Sequence, residues 1–263
     1  VARSEVRGRA VEEVKPDEIY HLGAMSFVPD SWVQPELTAN ITGLGTLRLL
    51  EATKKYKPDA KILSSCSSEQ FGRVTETPQK ETTRFYPRSP YGVAKVFSYE
   101  MTRVYRESFD MFACSSICYN MESTRRGEQF VTKKIARGVA EIKHGLRPYL
   151  ELGNLEARRD WISAKDAVVG MRLILQQNTP DDFILASGET HSIREFLTIA
   201  FEIAGIKDWA PYVRFNPAFM RPAEVDVLLG DPSKAHGVLG WERTYSFDDI
   251  VADLVTYELA RLL

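Results

Sequence analysis

Ser67, Ser68 and Glu69 stand shortly before Tyr91 and Lys95, and the five side chains supply two hydroxyls, a carboxylate, a phenol and an ammonium. Tyr91 and Lys95 are four residues apart, so on a helix they share a face and the cation lies beside the phenol. A neighbouring ammonium favours phenolate and brings the phenol down from its ordinary pKa of about 10, which makes Tyr91 a candidate general base. Tyr-x-x-x-Lys alone is a weak signal, because both residue types are common and an amphipathic helix face holds such pairs without chemistry. The setting strengthens it. Residues 61–65 read as a short buried strand whose end delivers Ser67, Ser68 and Glu69, where open α/β sheets place their chemistry. Ser89-Pro90 then reads as the cap and first residue of the helix bearing Tyr91 and Lys95.

The elements that must position these groups alternate. Residues 18–22 read as a strand ending in His-Leu-Gly-Ala, and residues 40–56 as a helix with Ile41, Leu44, Leu47 and Leu50 on one side, ended by Pro58. A helix over 90–108 and an apolar strand over 111–119 continue the pattern. This alternation predicts a Rossmann-type, doubly wound parallel sheet flanked by helices. No Gly-x-x-Gly-x-x-Gly precedes the first strand, and Gly43-Leu44-Gly45 reads as helix, so the sheet is expected to be N-terminally incomplete, without its first strands. Residues 1–263 alone are expected neither to hold a dinucleotide firmly nor to act on a substrate.

From Asn120 the texture changes to the polar loop NMESTRRGEQF. A helix over 130–143, a strand over 149–152, a basic glycine-bearing segment over 153–161, a helix over 164–176 and a strand over 183–186 follow. Ser192 and Glu195 form a capping-box signature for a helix closed by Gly205, Asp231-Pro232 opens a short helix ended by Gly240, and Ser246 caps the last helix. The expected division places residues 1–120 and 163–180 in the dinucleotide-binding domain. Residues 121–162 and 181–263 form a smaller, interleaved α+β substrate domain.

With 34 Lys and Arg against 36 Asp and Glu, the formal net charge of -2 provides no basic field for nucleic acid or an anionic membrane. No apolar run approaches the ~18 residues of a membrane span, and VARSEVRGRAVEEV has no apolar leader core, so a cytoplasmic protein is expected. Cys114 and Cys118 fall on one strand, roughly 13 Å apart, too far for a disulfide. With Cys66 they are read as reduced, and no metal-ligand spacing accompanies them.

The order of strand, Ser-Ser-Glu, polar loop and Ser-Pro-Tyr-x-x-x-Lys resembles the extended short-chain dehydrogenase/reductase family. Seven ordered blocks, EIYHLGAMSFVPDSW, SSEQFG, FYPRSPYGVAK, FVTKKI, HGLRPYLELGNLEARRDW, GETHSIREF and RPAEVD, make the chain similar to its GDP-mannose 4,6-dehydratase branch over nearly the whole length. The resemblance implies NADP as a retained cofactor and a GDP-sugar, GDP-mannose, as substrate. It also implies internal hydride transfer with net loss of water to a 4-keto-6-deoxy sugar, and a homodimer or homotetramer. It puts the family's hydroxyl, carboxylate and tyrosine roles on Ser67, Glu69 and Tyr91, and the ribose contact on Lys95. Further cofactor contacts fall on Leu22, Gly23, Ala24, Met25, Ser26, Leu37, Met121 and Arg126. Nucleotide-sugar contacts fall on Ser26, Glu69, Asn120, Lys134, Arg159, Arg221 and Glu224. Ser67 replaces the family's usual Thr, which either hydroxyl can serve, whereas Met121 replaces a His whose polar contact a thioether cannot make. Another dehydratase, epimerase or reductase of nucleotide sugars is the enzymatic alternative, and Glu69 weighs against an epimerase. A non-catalytic binding or scaffold relative is the alternative of another class.

Overall fold

The structure is a computed structural model that describes residues 9–219 and 227–263. Its main sheet has four parallel strands side by side in chain order: β1 (Glu18–His21), β2 (Lys61–Ser67), β3 (Ala113–Cys118) and β4 (Phe183–Leu185). Side chains alternate across the pleat, so neighbouring apolar residues of β2 serve opposite layers. Ile62 packs with α1 (Leu44–Tyr56) and α2 (Pro90–Phe109) through Leu49, Leu50 and Tyr105. Leu63 faces the other way and joins the cluster of Met171 and Ile174. Burial on both faces explains why residues 111–119 read as an apolar strand in sequence. The registers set Ser67 opposite Cys118 and Cys118 opposite Leu185, so the carboxyl ends of three strands finish level and open onto one space.

Three longer helices, α3 (Val131–Lys143), α4 (Ala164–Leu175) and α5 (Ile193–Ile203), and the last, α6 (Phe247–Arg261), complete the larger elements. Met171 and Ile174 belong to α4, which therefore covers the sheet, while α3, α5 and α6 build a second core from Ile135, Val139, Phe196, Leu197, Val251 and Leu254. Trp161 packs into that second core beside Phe247, with ring centroids 5.5 Å apart. Its strand, Trp161–Ser163, pairs in parallel with Asn120–Glu122, the segment that leaves β3, and so ties the two cores together.

The doubly wound parallel sheet is as expected, with helices on both faces. The expected division at residue 180 moves, because Phe183–Leu185 completes the main sheet as β4. A three-residue apolar strand is too short for its pattern to say which sheet it joins. The helix expected from residue 40 begins with a wide turn at Ala39–Gly43, where α2 comes so close that a Cβ on Gly43 would lie 3.2 Å from the Phe97 ring. Ser192 caps α5 by accepting the Glu195 N–H at 3.0 Å, but the Glu195 carboxylate bonds His191 and Arg158 instead of completing the box. Ser246 and Asp249 make a complete box at the start of α6. Arg221, Glu224 and the rest of RPAEVD lie outside the described residues. No helix among the described residues is long and apolar enough to cross a membrane.

Candidate active site

β2 runs two residues further than its apolar pattern, and its last residue, Ser67, caps a single 3₁₀ turn, Ser68–Gln70. The Ser67 N–H donates to Gln70 Oε1 at 2.9 Å while the Glu69 N–H donates to Ser67 Oγ at 3.3 Å. A capping box normally found at helix starts thus fixes the Ser67 hydroxyl and the Glu69 backbone at the carboxyl end of β2. The start of α2 seats against this turn. Ser89 Oγ accepts the Gly92 N–H at 3.0 Å, Pro90 takes the first helical position, and a Cβ on Gly92 would come within 2.7 Å of the Glu69 carbonyl oxygen. Only glycine permits that approach, which brings Tyr91 beside the Ser67–Glu69 turn.

Tyr91 and Lys95 are 6% and 5% exposed, so neither is a solvated helix pair. Lys95 Nζ donates to the Ser65 carbonyl oxygen on β2 and lies 5.9 Å from the centroid of the Tyr91 ring. The expected depression of the phenol by Lys95 is not what this arrangement gives. Burial pushes the Tyr91 phenol above its ordinary value, against the smaller opposing influences of the Ser67 hydroxyl and the Arg126 charge, and burial likewise lowers the Lys95 ammonium. The reason is depth: removal from water disfavours both charged forms, and Lys95 spends a donor on Ser65. The nearby thiols are inert for the same reason, Cys66 being pushed up to about 12 and Cys118 to about 11.

Ser67, Glu69, Tyr91 and Lys95 all line one cleft of about 1220 Å³ between the two cores. Of the residues expected at a cofactor, Leu22, Ala24, Ser26, Met121 and Arg126 line it, whereas Gly23, Met25 and Leu37 do not. Met25 turns toward the segment behind it, its N–H donating to Thr42 Oγ1 at 3.1 Å and its sulfur receiving the Thr38 hydroxyl at 3.9 Å. Asn120, Lys134 and Arg159 line the cleft as expected of substrate contacts. Asn120 Nδ2 donates to the Asp160 carbonyl oxygen at 2.9 Å. The buried Asp160 carboxylate accepts from Ser187 N–H and Oγ, Gly188 N–H and Gly230 N–H at 2.8 to 3.3 Å, which anchors this wall. Burial lifts the Asp160 carboxyl to about 6, the four donors opposing it. Lys134 Nζ sits 3.4 Å from the centroid of the Phe219 ring, and burial lowers its ammonium.

Sequence reasoning missed the aromatic part of this wall and one acid. Phe27 and Phe130 line the cleft and meet edge to face with ring centroids 5.4 Å apart, and Trp32 and Phe219 also line it. The signal available was the presence of large aromatics inside the otherwise polar stretches SFVPDSW and RRGEQF. Glu122, 3% exposed yet lining the cleft, gave no such signal.

A parallel sheet whose strand ends present Ser67 and Glu69 to a helix-borne Tyr91 and Lys95 is the arrangement of the extended short-chain dehydrogenase/reductase class. Within it the particular branch follows from the sequence as a whole. The family model described as GDP-mannose 4,6 dehydratase matches residues 4–254, and the chain belongs to that family. It is 45% identical over 279 residues to a GDP-mannose 4,6-dehydratase of Vibrio cholerae, covering 95% of this chain and 75% of that protein. Its identity to GDP-mannose 4,6 dehydratase 2 of Caenorhabditis elegans is 44%, over 96% and 70% of the two chains. Among solved structures, RMD from Pseudomonas aeruginosa, complexed with NADPH, superposes with a TM-score of 0.86 at 25% identity, covering 94% of this chain and 82% of that one.

Proposed function

We propose that this protein is a hydro-lyase that converts GDP-mannose to GDP-4-keto-6-deoxymannose. The observation that supports it most is the convergence of Ser67, Glu69, Tyr91 and Lys95 on one cleft at the carboxyl ends of the strands. A plain oxidation or epimerisation at C4 needs a hydroxyl and a phenol. A carboxylate held beside them adds the means to remove a second, carbon-bound proton, which dehydration requires.

NADP fits the donor set. Lys95 is a buried ammonium facing the cleft, able to serve ribose hydroxyls with donors beyond the one given to Ser65, and Leu22 and Ala24 offer an apolar flank to a flat ring. Ser26 and Arg126 would add polar contacts to the same molecule. When bound, its oxidised nicotinamide supplies a hydride acceptor that is restored within each turnover and a positive charge that favours phenolate.

The chain's own residues then divide the proton work. Ser67 donates a hydrogen bond to the sugar O4 while Tyr91 takes the C4 hydroxyl proton. The C4 ketone acidifies the C5 hydrogen, and Glu69 removes that proton and delivers it to the departing C6 hydroxyl, which leaves as water; return of the hydride to C6 is then matched by a solvent-derived proton that Glu69 delivers to C5. Lys134 and Arg159 bring charge-assisted donors to the diphosphate, and Asn120, fastened on Asp160, orients the sugar side. Arg221 and Glu224 are proposed for the nucleotide from the sequence resemblance. The substrate reading is tested by offering the full-length protein GDP-mannose, UDP-GlcNAc and dTDP-glucose in parallel. Turnover of only the uridine or thymidine sugar sinks it.

A homo-oligomer is supported by Val93, Phe97 and Val104, which lie at helical spacing along α2 and are exposed at 57%, 38% and 38%. This stripe would be covered by a second copy of the chain. Sedimentation should give a dimer or larger species for the wild type and a smaller one for Phe97→Asp, and a monomeric wild type would refute the assembly. Three buried free cysteines support a cytoplasmic setting, which recovery of the protein in a membrane or secreted fraction would contradict.

A further inference from the structure

Glu122 is a buried carboxylate on the cleft wall for which the proposed chemistry has no task. It ends the strand Asn120–Glu122, and its depth makes an ionised carboxylate tolerable only with partners. It has two. Thr132 Oγ1, in the first turn of α3, donates to Glu122 Oε2 at 2.7 Å, and Arg126 Nε lies 3.5 Å from the same oxygen. The Arg126 guanidinium carbon is in turn 3.7 Å from the centroid of the Phe130 ring, so the cation is held between a carboxylate and an aromatic face.

The segment that carries these groups is fastened independently of them. The Arg126 N–H donates to the Ser123 carbonyl at 2.9 Å, the Phe130 N–H to the Gly127 carbonyl at 3.1 Å, and Lys133 Nζ to the Thr124 carbonyl at 2.8 Å. The loop backbone therefore has its own supports, and the Glu122 carboxylate acts on the direction of the Arg126 side chain. Both Arg126 and Tyr91 line the cleft, and the Arg126 charge is among the influences that favour the Tyr91 phenolate.

We propose that Glu122 is a positioning residue, which clamps the Arg126 guanidinium against Phe130 and so fixes a positive charge on the cleft wall that serves both the cofactor and Tyr91. The proposal rests on the reading of Arg126 as a cofactor-side residue, and its test separates the two. Full-length wild type, Glu122→Gln, Arg126→Gln and the double variant are compared by calorimetric titration of NADP and by kinetics with GDP-mannose. Glu122→Gln keeps the size of the side chain and its hydrogen bond from Thr132, and loses only the charge that pairs with Arg126.

Each single variant is expected to bind NADP roughly tenfold more weakly, the loss of one charge-assisted contact. Both should lower kcat while leaving the KM for sugar within about twofold, and the double variant should match Arg126→Gln within about twofold, because linked residues do not add. Losses that multiply in the double variant would show that Glu122 does not act through Arg126. A Glu122→Gln protein with a lower melting temperature but wild-type NADP affinity and kcat would reduce Glu122 to a structural part. If Arg126→Gln is impaired and Glu122→Gln is not, only the clamp fails; if Arg126→Gln is silent, the reading of Arg126 fails with it. Should Glu122→Gln not fold, Arg126→Lys decides. It keeps the charge but lacks the planar fork and Nε, so impairment equal to Arg126→Gln supports the clamp and wild-type behaviour overturns it.

Discussion

Tyr91→Phe is expected to lower kcat by roughly 10²- to 10⁴-fold, the usual contribution of a positioned general base, while the protein remains folded. Only one hydroxyl is lost, from a side chain whose ring is packed at the start of α2 and is 6% exposed, so the backbone contacts that hold the site are untouched. The Ser89 cap, the seat of Gly92 on the Glu69 carbonyl and the Lys95 bond to Ser65 all persist without the phenol. Steady-state kinetics with a melting curve separate the two effects. Activity within a few fold of wild type would show that the base is another group.

Glu69→Gln should separate the reaction into its halves. Glutamine retains the shape and the backbone hydrogen bond of the Ser68–Gln70 turn, since the donor to Ser67 Oγ is the main-chain N–H. It cannot accept the C5 proton. In deuterated water the wild type is expected to yield product carrying deuterium at C5, and Glu69→Gln to exchange nothing there and to lose 4-keto-6-deoxy product by roughly 10²-fold or more. Normal product and normal exchange in the variant would move elimination onto a different residue, with Glu122 the next carboxylate lining the cleft.

Much of the scaffold was legible because local signals there have single meanings. Ser89-Pro90 reads as a helix opening, and residues 61–65 and 111–119 read as buried strands, so the placement of Ser67 at a strand end and of Tyr91 and Lys95 on one helical face followed from spacing. Depth was not legible. Four-residue spacing says that Lys95 is near Tyr91, but not that both lie under the surface with Lys95 turned to a β2 carbonyl, which reverses the expected direction of the phenol's shift. Direction at strand ends was lost too: resemblance marked a continuous run from Leu22 to Ser26, whereas the chain turns there and sends Met25 to Thr38 and Thr42. Glu122 and Phe130 are eight residues apart on either side of a loop, and only its closure brings both to Arg126.

The central claim is that Ser67, Glu69, Tyr91 and Lys95 carry out an internally balanced dehydration of GDP-mannose. It is tested most directly by incubating the full-length protein with GDP-mannose and substoichiometric NADP, and identifying the product by mass and by its sugar proton spectrum. The account predicts many turnovers per NADP, a product lighter by one water, and a methyl group at C6 beside a C4 ketone. A sugar oxidised at C4 that still holds its C6 hydroxyl, formed only once per NADP, would contradict it, as would a simple C4 epimer.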